Sequence, residues 1–167
     1  FFNDSNSLEY FQKDYFVLSI TSILIFLGSI GYWVSVEAFQ FRRFSLMSLN
    51  TKIVLLGSSF FILLGALFFF SSEINNPNTI GQLKTYDKIS VSFFQSISGR
   101  TAGFSVIDHA QANITTNFLY CFLMIIGGGA ASVSGGIKIN TVAIIAISIY
   151  CNIRGRFETS LFGRQIS

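Results

Sequence analysis

Two stretches of this chain carry chemistry that resides in the backbone. The first is Gly99, Arg100, Thr101, Ala102 and Gly103. The second runs Gly127, Gly128, Gly129, Ala130, Ala131, Ser132, Val133, Ser134, Gly135, Gly136: ten residues with five glycines, in which Val133 is the one bulky apolar group. Glycine reaches φ > 0 without steric cost, so such backbone can turn successive polar groups toward one axis. A nucleotide loop is one use of this freedom, but the phosphate motif needs Gly, four residues, then Gly-Lys-Ser or Gly-Lys-Thr. Here Gly136 is followed by Ile137. The dinucleotide fingerprint also fails, because Gly127 and Gly129 are followed at the third position by Ser132 and preceded by an apolar helical segment rather than a strand. With no paired carboxylates and no nucleophile beside a base, an enzyme is not expected. Carbonyl coordination of a cation remains.

The surrounding elements say where these stretches must lie. Hydrophobic residues make up 51% of the chain and charged residues 11%, less than half the roughly 25% of a soluble domain, so no soluble surface can be built. Tyr15 to Val36 is a charge-free run of 22 residues and Ile53 to Ser72 one of 20; each matches the ~20 residues of a membrane-crossing helix. Glu73 to Lys88 holds Asn75, Asn76, Pro77, Asn78 and Gly81, turn formers that predict an aqueous loop.

Ile89 to Ser98 predicts a helix of only ~15 Å, half of what crossing requires. It can enter the membrane but must turn back through Gly99 to Gly103 and return to water at Asp108 and His109. The alternative is an amphipathic surface helix with a Gly turn. Asn113 to Tyr150 is apolar for 38 residues, ~57 Å as one helix, so the glycine run must break it. Irregular backbone at membrane depth leaves polar groups unpaired unless protein or a water-filled path surrounds it. A re-entrant loop beside a broken helix therefore predicts an ion pathway, with Gly103 at the centre of the loop and the negative end of a short helix dipole aimed into it.

Charge sets the orientation. Arg42, Arg43, Lys52, Arg154, Arg156 and Arg164 fall on one side, while Lys84, Lys88 and Arg100 are offset by Glu73, Asp87 and Asp108 on the other. The first side is expected to be cytoplasmic, where its charge suits anionic lipid headgroups. The net charge of +3, without a basic groove interleaved with aromatics, gives no support to nucleic-acid binding. No signal peptide is expected from the polar, acidic start Phe1 to Asp14, and the chain reads as an internal piece. Cys121 and Cys151, 30 residues apart on one mostly helical segment, are expected to be unpaired apolar residues. His109, the single histidine, has no second ligand that would suggest a metal. Asn113, Ile114 and Thr115 match a glycosylation acceptor by chance frequency. Asp14 and Glu37 are expected to mark the ends of the first span. Arg100 is expected to support the loop by pairing with Asp108 or a neighbouring repeat. Lys138 either faces the cavity, holding the glycine run or repelling cations, or snorkels to the cytoplasmic interface.

Phe93, Phe94, Gln95, Ser96, then Arg100, Thr101, Ala102, Gly103, Phe104, and the run Gly127 to Lys138 ending Gly135, Gly136, Ile137, Lys138 together resemble the Trk/Ktr/HKT superfamily of K⁺ transporters, and within it the bacterial KtrB-type membrane subunit. The resemblance implies an all-α membrane protein built from repeats of helix, re-entrant pore loop and helix, K⁺-channel-like, here with a broken second helix. It implies four such repeats around one pore. Residues 1–50 would be the closing helix of a preceding repeat and a cytoplasmic loop, 51–153 one complete repeat, and 154–167 the cytoplasmic connection to the next. Thr101, Ala102, Gly103 and Phe104 would be the filter strand, binding K⁺ through backbone carbonyls, with side chains serving packing only. Gly127 to Gly136, with Lys138, would be the intramembrane gate loop. Arg100 would support the filter.

The same resemblance implies K⁺ uptake across the bacterial inner (plasma) membrane by a multi-pass protein, with Na⁺ a candidate coupling ion. It also implies a homodimer and a cytoplasmic nucleotide-binding regulatory ring of the RCK type. A Na⁺-permeable or uncoupled cation channel shares the same filter chemistry and is the competing expectation. A scaffold or receptor would leave both backbone breaks unexplained.

Overall fold

The computed structural model describes residues 8–41 and 44–154, together with the backbone of 160–161 and 164–165. Among the described residues six α-helices run in order: α1 Tyr15–Ile30, α2 Tyr32–Gln40, α3 Leu49–Glu73, α4 Thr85–Ser98, α5 Ile114–Ile125 and α6 Ile139–Ile153. A two-residue hairpin, Ser160–Leu161 with Arg164–Gln165, follows. Arg42, Arg43 and Arg156 lie outside the described residues, as does the side chain of Arg164.

Among the described residues α3 alone is long and apolar enough to cross a membrane by itself. Its 25 residues make ~37 Å of helix. Ser48 caps the start, its hydroxyl accepting from the Thr51 amide at 3.3 Å, which satisfies one of the orphaned first-turn donors. The helix ends at Glu73, just before the Asn75-Asn76-Pro77 turn.

The expected first span, Tyr15 to Val36, is not one straight helix. It breaks at Gly31, and α1 and α2 meet at 103°. Gly31 sits at φ 87°, ψ 156°, a region open essentially to glycine alone. Charge and hydropathy carry no trace of this bend. Asp14 does mark the start of α1, accepting from the Phe16 amide at 3.0 Å and the Val17 amide at 3.2 Å. Glu37 instead lies inside α2 and accepts from the Ser48 hydroxyl at 2.7 Å and from the Thr51 hydroxyl, tying α2 to the start of α3.

Contacts along α3 show that the chain from α4 to α5 enters and leaves on the same side. Near the entry, Lys88 donates to the Ile74 carbonyl at 3.0 Å, just past the end of α3. The far end of α4 reaches only the middle of α3, where Ser96 donates to the Ile62 carbonyl at 2.7 Å and a Cβ on Gly65 would fall 2.4 Å from the Ser96 hydroxyl. The chain then returns, and Asn113 donates to the Ser72 carbonyl at 2.7 Å. This is a re-entrant hairpin rather than a surface helix. α4 is one turn longer than expected, starting at Thr85, yet at 14 residues it is still ~21 Å, too short to cross.

Glu73 holds the outer end of this hairpin. Fully buried, it accepts from the Asn113 amide at 2.8 Å, from Asn76 and Thr79 at 2.7 Å each, and from the Thr116 hydroxyl. A buried carboxylate is tolerable only when so satisfied. Glu73→Ala strands these donors and is expected to destabilise the fold by about 3 kcal/mol, read as a lower thermal unfolding midpoint in detergent.

The expected 38-residue apolar segment is broken as anticipated, into α5 and α6 with residues 126–138 between them. Two apolar clusters form among the described residues. Leu18, Phe69, Ile80, Val91, Phe94, Val106 and Ile107 pack behind the re-entrant loop. Ile30, Val34, Val54, Ile126 and Ile139 pack around the ends of the glycine run.

Candidate functional site

α4 ends at Ser98, and although Gly99 keeps helical angles (φ −59°, ψ −14°), the chain beyond it leaves the helical region. Thr101 takes φ 69° and Gly103 φ 81°. For a β-branched residue the left-handed conformation is rare and costs about 1–3 kcal/mol, which the surroundings must impose. They do so through the Thr101 hydroxyl, which accepts from the Gly135 amide at 3.0 Å. The expectation that side chains here serve packing alone is corrected: Thr101 joins the two backbone stretches. The Phe104 carbonyl accepts from the Ser98 hydroxyl, so one of its lone pairs is engaged by the protein. A Cβ on Gly103 would meet nothing within 4 Å.

Arg100 does not pair with Asp108. Asp108 closes its own turn, accepting from the Ala110 amide at 2.9 Å and Gln111 at 3.2 Å. The Arg100 guanidinium is buried and donates through Nη2 to the Gly127 carbonyl at 2.8 Å. Its Nε and Nη1 are buried without a hydrogen-bond partner among the described residues. The residue therefore reaches from the re-entrant loop to the start of the glycine run.

Behind the loop lies a polar network that the sequence does not announce. Gln95, fully buried, contacts the Ser105 hydroxyl at 3.1 Å and His109 Nε2 at 3.0 Å, while its Oε1 accepts from the Val106 amide at 3.4 Å. His109 Nδ1 lies 3.1 Å from Asn117 Oδ1, and Asn117 donates back to the His109 carbonyl at 2.9 Å. A neutral imidazole protonated on Nδ1 satisfies both contacts. The ring also packs on Tyr120 at 4.5 Å between centroids. His109, expected in an outer loop without a role, is a strut of the hairpin. The missed signal was Gln95, whose side-chain amide lies in the last turn of α4 and needs partners when buried.

The glycine run folds into a pinched loop. Ile137 donates to the Ile125 carbonyl at 2.8 Å, Gly127 to the Ile137 carbonyl at 3.0 Å and Ile139 to the Gly128 carbonyl at 3.0 Å. The strands approach so closely that a Cβ on Gly127 would fall 1.6 Å from the Gly135 oxygen. Lys138 donates to the Ser134 carbonyl at 2.5 Å, a contact in keeping with the first of the two alternatives, that it holds the glycine run. A cavity of about 230 Å³ is lined jointly by α1 and both stretches, through Leu24, Gly28, Thr101, Phe104, Val133 and Ser134. Both cysteines are unpaired, Cys151 buried as expected of a small apolar residue and Cys121 exposed.

A crossing helix, a helix that stops at mid-depth, a strained return strand and a broken helix define an all-α membrane protein of the helix, re-entrant loop, helix class. The chain belongs to the TrkH family of cation transport proteins, which matches residues 2–167. It is 37% identical over 147 residues to the Ktr system potassium uptake protein B of Bacillus subtilis (strain 168), covering 88% of this chain and 33% of the relative. It is 32% identical over 165 residues to the protein of the same name from Vibrio alginolyticus, covering 98% and 36%. The structure of the potassium transporter TrkH from Vibrio parahaemolyticus shares the fold, with a TM-score of 0.73 at 18% identity over 98% of this chain and 36% of that one. The chain thus spans about a third of the length of these relatives, and the resemblance to the Trk/Ktr superfamily is borne out.

Proposed function

We propose that this chain is part of a K⁺ uptake transporter of the plasma membrane, the inner membrane of a bacterium. The carrying observation is that α4 stops beside the middle of α3 with the negative end of its dipole toward the strained strand Thr101 to Phe104. Carbonyls of that strand replace water around K⁺, and the glycine run Gly127 to Gly136 obstructs the path as a gate. Residues 1–50 are the closing helix of one repeat, 51–153 a whole repeat and 154–167 the link to the next; the complete protein is multi-pass with four repeats, and its basic side is cytoplasmic. The apolar faces left open on α3, such as Phe60 and Leu67, serve lipid or the other repeats. By the same family resemblance we assign a homodimer, an RCK-type regulatory ring and Na⁺ as coupling ion. Transport, not catalysis, is the activity. Rubidium tracer uptake into vesicles holding the complete protein tests this. Uptake suppressed by K⁺ and spared by equal Na⁺ supports the proposal; no uptake contradicts it.

Thr101 gives a narrower check. Thr101→Val keeps the shape but removes the acceptor for Gly135, a loss of about 1 kcal/mol. Resting uptake is expected to rise a few-fold, measured against Thr101→Ser, which retains the hydroxyl and stays near the original rate.

A further inference from the structure

We propose that the severed end of α1 is the seat on which the gate loop closes, and that Gly28, Ser29 and Gly31 are its positioning residues. This rests on reading Gly127 to Gly136 as the gate. A helix that ends inside an apolar segment leaves its last four carbonyls without partners, a cost that lipid cannot relieve. Here the partners come from the loop. Gly129 donates to the Ser29 carbonyl at 2.9 Å and Val133 to the Gly28 carbonyl at 3.3 Å. The shoulders of the loop thus occupy the acceptors that a continuing helix would have used.

The fit is backbone against backbone, which explains glycine on both sides. A Cβ on Gly128 would lie 2.1 Å from the Ser29 oxygen, and one on Gly129 2.7 Å from the Ile30 oxygen. From the other side, a Cβ on Gly31 would lie 2.7 Å from the Ala130 oxygen, and one on Gly28 3.2 Å from the Val133 side chain. The triple glycine Gly127-Gly128-Gly129 therefore serves close approach, with Gly127 against the loop's own far strand and the next two against α1. The base of the loop is held elsewhere, by Arg100 and Thr101 at the re-entrant strand. The loop is a flap, fixed at its base and seated at its tip.

Gly31 is also where the chain turns into α2, which Glu37 ties to the start of α3. A displacement of α2 rotates about Gly31 and shifts the carbonyls on which the flap rests. Unseating the tip lowers the barrier in the path and leaves the Thr101 to Phe104 strand in place.

The test uses the complete protein in vesicles. Gly31→Ala is expected to raise resting K⁺ uptake about tenfold, equivalent to about 1.4 kcal/mol, with the half-saturating K⁺ concentration and the preference over Na⁺ unchanged. Spin labels at Ser22 and Ala131 report seating independently of flux, and their separation is expected to widen. Gly28→Leu guards against misfolding, because leucine is a strong helix former that keeps α1 intact while displacing Val133; it should act in the same direction. Unchanged separation and unchanged uptake in folded protein overturn the seat. Widened separation with no ion uptake by any variant, the unsubstituted protein included, upholds the seat and overturns the transport proposal alone.

Discussion

Arg100→Met is expected to leave the protein at least as heat-stable as before while raising resting K⁺ uptake tenfold or more and eroding its preference over Na⁺. The two effects have separate causes. A buried guanidinium with two of its three nitrogens unpartnered among the described residues carries a desolvation cost of several kcal/mol that one hydrogen bond offsets only in part, and apolar replacements at such sites are often neutral or stabilising. Its one bond, to the Gly127 carbonyl, is charge-assisted and contributes about 1.5–3 kcal/mol. That bond joins the glycine run to the residue directly before the strained strand. Its loss frees the base of the loop and loosens the strand together, which is why selectivity falls here and not in Gly31→Ala. Thermal unfolding and vesicle uptake separate the terms. A lower unfolding midpoint with unchanged transport by the folded fraction would make Arg100 a brace of the fold only.

Gly103→Ser is expected to reduce the preference for K⁺ over Na⁺ about tenfold, with Gly103→Ala acting alike. Because a Cβ here meets nothing within 4 Å, the cost is conformational rather than steric. At φ 81° an L side chain disfavours the backbone by about 1–2 kcal/mol, and the strand is expected to relieve this by rotating the peptide whose carbonyls would face the ion in the proposed filter. Competition between K⁺ and Na⁺ in tracer uptake measures the change. If Ala is silent and Ser is not, the serine hydroxyl rather than the backbone is responsible.

The parts of the architecture legible in the sequence were those set by length and polarity. Ile89 to Ser98 was too short to cross, the segment from Asn113 too long to be one helix, and the glycine run marked where it breaks. The bend at Gly31 was not legible, because one glycine in a charge-free run costs a helix only about 1 kcal/mol and is common in membrane spans. What decides it is the distant loop whose Ala130 and Ala131 carbonyls press against that position. Pairings of this kind, like Arg100 with Gly127 or Thr101 with Gly135, depend on tertiary approach of backbone atoms and leave no mark in periodicity or charge. For Arg100 opposite charge pointed to Asp108 or to a neighbouring repeat, whereas the acceptor among the described residues is the neutral Gly127 carbonyl. Glu73 shows the same limit. Its position at the end of a span suggested an aqueous flank, whereas the hydroxyl and amide donors around it come from two segments, the loop after α3 and the start of α5.

The most direct test of the central claim is K⁺-limited growth of a bacterium that lacks its own K⁺ uptake systems, supplied with the complete protein and a co-expressed regulator. Rescue by the unsubstituted protein, made weak or Na⁺-sensitive by Gly103→Ser, is the predicted result. Absence of rescue by protein shown to be in the membrane, or rescue indifferent to Gly103→Ser, would contradict K⁺ passage along this strand.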